Sequence, residues 1–222
     1  MPDQMPVHTE AWPDTSSFDA IVLAGGLARR LRGADKPAIR LGGRTLGAVA
    51  ITAAAAAGAG AVIVVGPERH GLRSEVAASG QSVPLVFTSE DPPGSGPVPA
   101  LAAGLELARS PWVLLLAADL PFLRPEHLRT LLAAAAVTGG ALLTDDDGRP
   151  QWLASAWRGE MLRTALAGYR GESLRGVLEP LAPARVAGSA GPGQPPPWLD
   201  CDTPDDLRSA AAWLRRGGPV AQ

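Results

Sequence analysis

Cysteine and lysine each occur once in this chain of 222 residues, histidine three times, and neither sign of charge dominates. The lone thiol, Cys201, excludes an internal disulfide and points to a reducing cytoplasm as the expected compartment. A formal net charge of −2 provides no global attraction to DNA, RNA or an anionic membrane, so any anion binding has to be local. No run approaches the roughly 18 to 20 uninterrupted apolar residues of a membrane span. The alanine runs at Ala53–Ala57 and Ala133–Ala136 are too short. The opening MPDQMPVHTEAWPDTSSF carries acids and prolines, without a basic-then-apolar leader. Two common phosphate motifs are missing, because Lys36 is followed by Pro37 and no G-x-G-x-x-G occurs. No His/Cys/Glu cluster suggests zinc, and no Ser-His-Asp constellation stands out. The expectation is a soluble cytoplasmic protein that binds neither nucleic acid nor membrane.

What is present is an ordinary globular composition, 46% apolar, in a length that suits one domain. Residues 1–17 show no periodicity and read as a tail, 18–216 as the domain, and 217–222 as a second tail. Continuous apolar runs predict buried strands at Phe18–Ala24, Ala61–Gly66, Val83–Thr88, Trp112–Ala118, Ala141–Thr144, Gln151–Trp157 and Trp198–Cys201. Helical patterns fall between them at Thr45–Gly58, Glu68–Ala78, Pro99–Arg109, Arg124–Val137, Leu162–Ala167, Ser173–Leu178 and Pro204–Arg215. Glu90–Pro99 and Gly188–Pro197 are too rich in Gly and Pro to be anything but loops. Strands alternating with helices predict a single Rossmann-like three-layer α/β domain, its sheet mostly parallel with at least one antiparallel strand. In such sheets ligands sit beyond the carboxyl ends of the strands.

The first such end is followed by Leu23-Ala-Gly-Gly-Leu-Ala-Arg-Arg-Leu-Arg-Gly-Ala-Asp-Lys-Pro37. Gly25 and Gly26 let backbone amides approach a phosphate with no Cβ in the way. Arg29, Arg30, Arg32 and Lys36 put positive charge in the same segment. Against 19 arginines the single lysine is either an accident of composition or a place that needs a compact ammonium, and its position here favours the second. The next end carries Asp119, before Leu120-Pro121-Phe122, readable as a Mg²⁺ ligand or as a turn residue. Asp200-Cys-Asp202-Thr-Pro-Asp-Asp combines a second pair of candidate ligands with a helix start capped by Thr203. Asp145-Asp146-Asp147-Gly148 reads most simply as a hairpin turn. Glu90-Asp91 offers carboxylates able to accept from both N1–H and N2–H₂ of guanine.

The motif L-A-G-G-x-A-R-R followed by G-x-D-K, together with Asp119-Leu-Pro-Phe, resembles the molybdenum cofactor guanylyltransferases among the nucleotidyltransferases. The resemblance runs from about Phe18 to Arg215. It implies transfer of GMP from GTP to the phosphate of molybdenum-molybdopterin, with Mg²⁺ as cofactor and pyrophosphate as the second product. It assigns nucleotide contacts to Leu23, Ala24, Gly25, Gly26, Arg30, Lys36, Gly66, Asp91 and Asp119, with Lys36, Arg30 and Asp119 catalytic. Asp119 and Asp202 would hold the metal, Asp200 being the weaker choice. Arg149-Pro-Gln-Trp resembles the family's R-P-Q-P strand, so Arg149, Gln151 and Arg175 would face the acceptor. A flat pterin would stack on Trp152 or Trp157, unless these tryptophans belong to the core.

The chain departs from the family pattern at Leu31-Arg32-Gly33, where Met-Gly-Gly is commoner. It also has Gly66 where an asparagine is used and Trp157 in place of tyrosine. Transient contact with molybdoenzymes or cofactor carriers is a further implication. A cytidylyltransferase for a related molybdopterin, a sugar-phosphate nucleotidyltransferase, and a binding module that holds nucleotide without turnover remain alternatives.

Overall fold

A computed structural model describes residue 15 and residues 17–25, 35–188 and 194–216. Most of the expected tails, and Gly26, Arg29, Arg30, Arg32 and Gly33, lie outside the described residues. In chain order the strands are β1 (Phe18–Leu23), β2 (Arg40–Leu41), β3 (Arg44–Thr45), β4 (Val62–Val65), β5 (Leu85–Thr88), β6 (Trp112–Ala117), β7 (Gly140–Thr144), β8 (Pro150–Arg158) and β9 (Ala184–Ala187). The helices are α1 (Leu46–Ala57), α2 (Leu72–Ala78), α3 (Pro97–Leu107), α4 (Pro125–Thr138), α5 (Gly159–Gly168), α6 (Leu174–Leu178) and α7 (Pro204–Arg215).

Seven strands form one sheet in the order β5-β4-β1-β6-β8-β7-β9. Strands β5, β4, β1 and β6 run parallel, and β7 and β9 pair in parallel. Only β8 is reversed, antiparallel to both β6 and β7. Helices cover both faces, which explains why the strand sequences are continuously apolar rather than alternating. Ala20, Val22, Val62, Val64, Leu114 and Leu116 feed the core under α1 and α4. Their neighbours Ile21, Ile63, Val65, Val113 and Leu115 feed the core under α3, α5 and α6. The expected three-layer, mostly parallel sheet is therefore present.

Local chemistry sets the element ends. Thr45 Oγ1 accepts from the Ala48 N–H at 3.3 Å to start α1, and Gly58, at φ 109°, ends it. Thr203 and Asp206 form a reciprocal capping box for α7, with Pro204 in its first turn. Asp145–Gly148 is the turn between β7 and β8, closed by the Gly148 N–H donating to Asp145 O at 2.9 Å.

Three expectations need correcting. Trp198–Cys201 is a turn rather than a strand; the Leu199 N–H bonds Pro196 O at 3.2 Å, and Cys201 is buried beside Leu41, Leu46, Phe122 and Ala210. Helix α3 starts at Pro97, because a proline fits the first helical turn, where its missing N–H costs nothing. Helix α2 starts only at Leu72, after a turn centred on Gly71 at φ 78°. Two pairings went unread. β9 is a short edge strand of mixed composition, and the β2–β3 hairpin turns on Gly42-Gly43, a two-residue signal that was available.

Candidate active site

Strands β4, β1 and β6 end side by side, with Leu23 in register with both Val65 and Ala117. The segments leaving them are tied to neighbouring strands. The Ala24 N–H donates to Val65 O at 2.8 Å, Ala118 N–H to Leu23 O at 3.1 Å and Gly66 N–H to Thr88 O at 2.8 Å. Gly66 lies under the start of the glycine-rich segment. It has φ 142°, and a Cβ there would stand 2.8 Å from the Ala24 carbonyl carbon. Its part in the site is to let two backbones approach, since its own N–H is already used.

Lys36 opens a short 3-10 turn, Lys36–Ala38, anchored by buried Pro37. Its Nζ lies 3.5 Å from Asp119 Oδ2 and hydrogen-bonds Asp202 Oδ1, bringing the glycine-rich segment, the end of β6 and the approach to α7 to one point. Burial works against the Lys36 charge, but the Asp202 hydrogen bond and the charges of Asp119 and Asp202 outweigh it and raise its pKa. Burial pushes the Asp119 carboxyl above its ordinary range; Lys36 pulls it down and Asp202 adds to the rise. Asp200 still reaches solvent, yet burial of part of its carboxyl and the charges of Asp202, Asp119 and Asp206 push it up to about 6. Cys201, pushed up to about 12 by burial and the charges of Asp119, Asp206 and Asp200, stays a thiol and is no nucleophile at neutral pH.

Two cavities meet at Lys36 and Asp119. The smaller, about 250 Å³, is lined by Leu23, Gly25, Glu90, Gly94 and Pro97. The larger, about 700 Å³, extends over Gln151, Trp152, Arg175, Trp198, Asp200 and Asp202. It opens where β8 is irregular. The register with β7 shifts between Leu142 and Leu143, and Ser155 Oγ donates to Trp152 O at 2.7 Å. That break lets Trp152 and Leu153 face the cavity.

Of the residues singled out from sequence, Leu23, Gly25, Lys36 and Asp119 share the smaller cavity. Ala24 is buried directly beside it, while Gly26 and Arg30 lie outside the described residues. Asp91 is exposed and does not line the cavity; its neighbour Glu90 does, 7% exposed, with Oε1 accepting from the Gly94 N–H at 2.9 Å. On the larger cavity Gln151 and Arg175 are present, Arg175 paired with Glu179 at 2.8 Å. Arg149 instead pairs with Asp147 at 2.7 Å on the hairpin turn. Trp157 is wholly buried, its Nε1 donating to Ser155 Oγ at 2.8 Å, so it belongs to the core, and of these two tryptophans it is Trp152 that lines the larger cavity.

Among the described residues no group of three or more His, Cys, Asp or Glu side chains converges as a metal cage. Asp119 and Asp202 do face one point, now bridged by an ammonium. Two carboxylates suit Mg²⁺, which binds few protein oxygens and completes its shell with phosphate and water. One site residue escaped the sequence reading altogether. Arg69 donates to Asp35 and to the Ala24 carbonyl, and the available signal was its position just beyond the end of β4.

Both the sequence and the fold are similar to those of known proteins. Residues 20–186 match the family described as MobA-like NTP transferase domain. A molybdenum cofactor guanylyltransferase from Bradyrhizobium sp. (strain ORS 278) is 32% identical over 207 residues, covering 88% of this chain and 92% of that one. A probable molybdenum cofactor guanylyltransferase from Mycobacterium tuberculosis H37Rv is 32% identical over 158 residues, 68% of this chain and 73% of that one. Among solved structures, a nucleotidyl transferase from Methanothermobacter superposes with a TM-score of 0.69 at 23% identity, over 90% of this chain and 99% of that one. Molybdopterin-guanine dinucleotide biosynthesis protein A from Archaeoglobus fulgidus does so with 0.60 at 19%, over 89% and 99%. At these identities the structures establish the shared fold.

Proposed function

This chain belongs to the MobA-like NTP transferase family, among the molybdenum cofactor guanylyltransferases, and from that premise we propose that it transfers GMP from GTP to the phosphate of molybdenum-molybdopterin, releasing pyrophosphate. The observation that carries the proposal is the meeting of Lys36, Asp119 and Asp202 at the seam between two cavities. A group transfer needs a donor and an acceptor side by side with charge control between them, and the seam supplies that arrangement.

In this reading the nucleotide occupies the smaller cavity, its phosphates directed along Gly25 toward Lys36, with Gly26 and Arg30 joining by family resemblance. Glu90 or Asp91 accepts from the N1–H and N2–H₂ donors of guanine. The pterin acceptor occupies the larger cavity, against Trp152, Gln151 and Arg175. Its phosphate, already anionic at neutral pH, attacks the α-phosphorus. The new P–O bond forms as the bond to the β-bridging oxygen breaks, and that electron pair leaves with pyrophosphate. No side-chain nucleophile is required. Lys36 turns its ammonium from the aspartates to the phosphates and holds the charge that builds on the leaving group. Asp119 and Asp202 would hold Mg²⁺, which when bound supplies charge neutralisation and alignment of phosphate oxygens. A cytoplasmic location is part of the same proposal; no described helix is long and apolar enough to cross a membrane.

The test is calorimetry of the protein with Mg²⁺ and, separately, GTP, CTP, ATP and UTP, followed by a transfer assay on the pterin acceptor. Selective GTP binding and formation of the dinucleotide support the proposal. Preference for CTP or UTP moves the substrate to a sibling activity. Absence of transfer with every nucleotide removes the proposal.

A further inference from the structure

Ala24 and Asp35, the latter next to Lys36, flank the glycine-rich segment, and one side chain touches both. Arg69, in the turn between β4 and α2, is 11% exposed. Its Nη2 donates to the Ala24 carbonyl at 2.7 Å and to Asp35 Oδ1 at 2.6 Å. Its Nε lies 2.8 Å from Oδ1 and 2.7 Å from Oδ2 of the same carboxylate, and its Nη1 donates to Pro67 O at 3.1 Å. All three guanidinium nitrogens are therefore engaged within the protein. The fork matches the planar carboxylate in a way a lysine cannot reproduce.

We propose that Arg69 is the positioning residue of the phosphate-binding segment. It sets the distance between the two ends of that segment, and with it the place from which Lys36 reaches the seam. It also neutralises Asp35, which would otherwise set a bare carboxylate beside the cation meant for a polyphosphate. The late start of α2 makes this possible: in a helix beginning at Glu68 the Arg69 backbone would be wound into the first turn. Leu72 N–H instead bonds Arg69 O at 3.2 Å in a turn that faces Ala24. The inference rests on the reading that this segment grips a triphosphate.

The experiment uses the full chain and three variants, Arg69→Ala, Arg69→Lys and Asp35→Asn, with two readouts. The first is hydrogen exchange at the Ala38 and Ile39 amides, which donate to Asp35 O and Lys36 O at 3.0 Å. The second is calorimetric affinity for GTP with Mg²⁺. Losing a charge-assisted fork, at about tenfold per 1.4 kcal/mol, gives Arg69→Ala at least about tenfold faster exchange and tenfold weaker GTP binding. Exchange in β6 stays unchanged, and methylguanidinium restores part of both losses. Arg69→Lys falls between, since an ammonium can neutralise Asp35 but cannot also hold Ala24 O. Asp35→Asn weakens exchange protection, and added to Arg69→Ala it costs little more. Exchange within twofold of wild type overturns the proposal, and so does faster exchange with unchanged GTP affinity. If Arg69→Ala fails to fold, Arg69→Lys and Asp35→Asn carry the same comparison. If the wild type binds no triphosphate, the assigned function fails, while the exchange readout still judges the tie.

Discussion

Lys36 and Asp202 are separated by 166 positions in sequence and joined by a hydrogen bond at the carboxyl edge of the sheet. The bond makes the ammonium a competitor for the point at which two carboxylates converge. It also ties the turn that follows the glycine-rich segment to the approach to the last helix.

Removing the ammonium should separate its two roles. Lys36→Ala loses charge stabilisation of the leaving pyrophosphate and drops kcat by about 10²-fold or more. In nucleotide-free protein the same change leaves Asp119 and Asp202 to a cation, so Mg²⁺ affinity rises several-fold. Asp119→Asn loses both transfer and Mg²⁺ affinity. Stopped-flow turnover and Mg²⁺ titration read the two effects, and a Lys36→Ala enzyme with normal kcat would remove Lys36 from the chemistry.

Glu90 is the acid that lines the smaller cavity, proposed above to take the nucleotide, and one of its oxygens already accepts from Gly94. Glu90→Gln keeps the shape and replaces an acceptor with a donor that opposes guanine N1–H. The GTP KM should rise about 10- to 100-fold, the worth of one hydrogen bond to a charged group, with kcat nearly unchanged. Unaltered base preference would pass the role to Asp91 or to backbone.

Gly66→Ala forces a Cβ to within 2.8 Å of the Ala24 carbonyl at a φ of 142°. Strain of this kind costs about 1–3 kcal/mol, a fall in Tm of several degrees. GTP affinity falls with it, because Ala24 and Gly25 are the atoms displaced. Calorimetric melting alongside GTP titration would expose a substitution the fold absorbs without cost.

Helix α4 starts on a pH-sensitive cap, where the Arg124 N–H donates to His127 Nδ1 at 3.1 Å. Burial, and then the nearby Arg124 charge, lower the His127 pKa from 6.5. Because the folded value lies below the unfolded one, this cap contributes fully above pH 6.5. Its contribution is lost as pH falls from 6.5 toward the folded value. His127→Gln supplies an acceptor that does not titrate. Melting curves at about pH 7.5 and 5.5 should show the wild type losing more than the variant.

Much of the fold was legible along the chain because its cause is local. Continuous apolar runs such as VIVV in β4 and WVLLLA in β6 belong to strands covered on both faces, and Thr45, Gly58, Thr203 and Pro204 mark helix ends. Trp198–Cys201 was misread because a short apolar run is buried equally well by a turn packed under α7 as by a strand, and composition does not tell the two apart.

By itself the sequence determined the layer architecture and the glycine-rich segment at the end of β1, and it offered Lys36, Asp119 and Asp202 as candidate site residues. Only the tertiary structure decided which of these meet. It brought Asp202 to Lys36, chose Glu90 over Asp91 for the cavity, turned Arg149 toward Asp147 and buried Trp157 while leaving Trp152 open. It also joined Arg69 to both ends of the segment before Lys36. The reason is physical: helix and strand follow from neighbours a few positions apart, whereas a site is assembled where strand ends, loops and a distant helix are packed together by the burial of side chains that take no part in the chemistry.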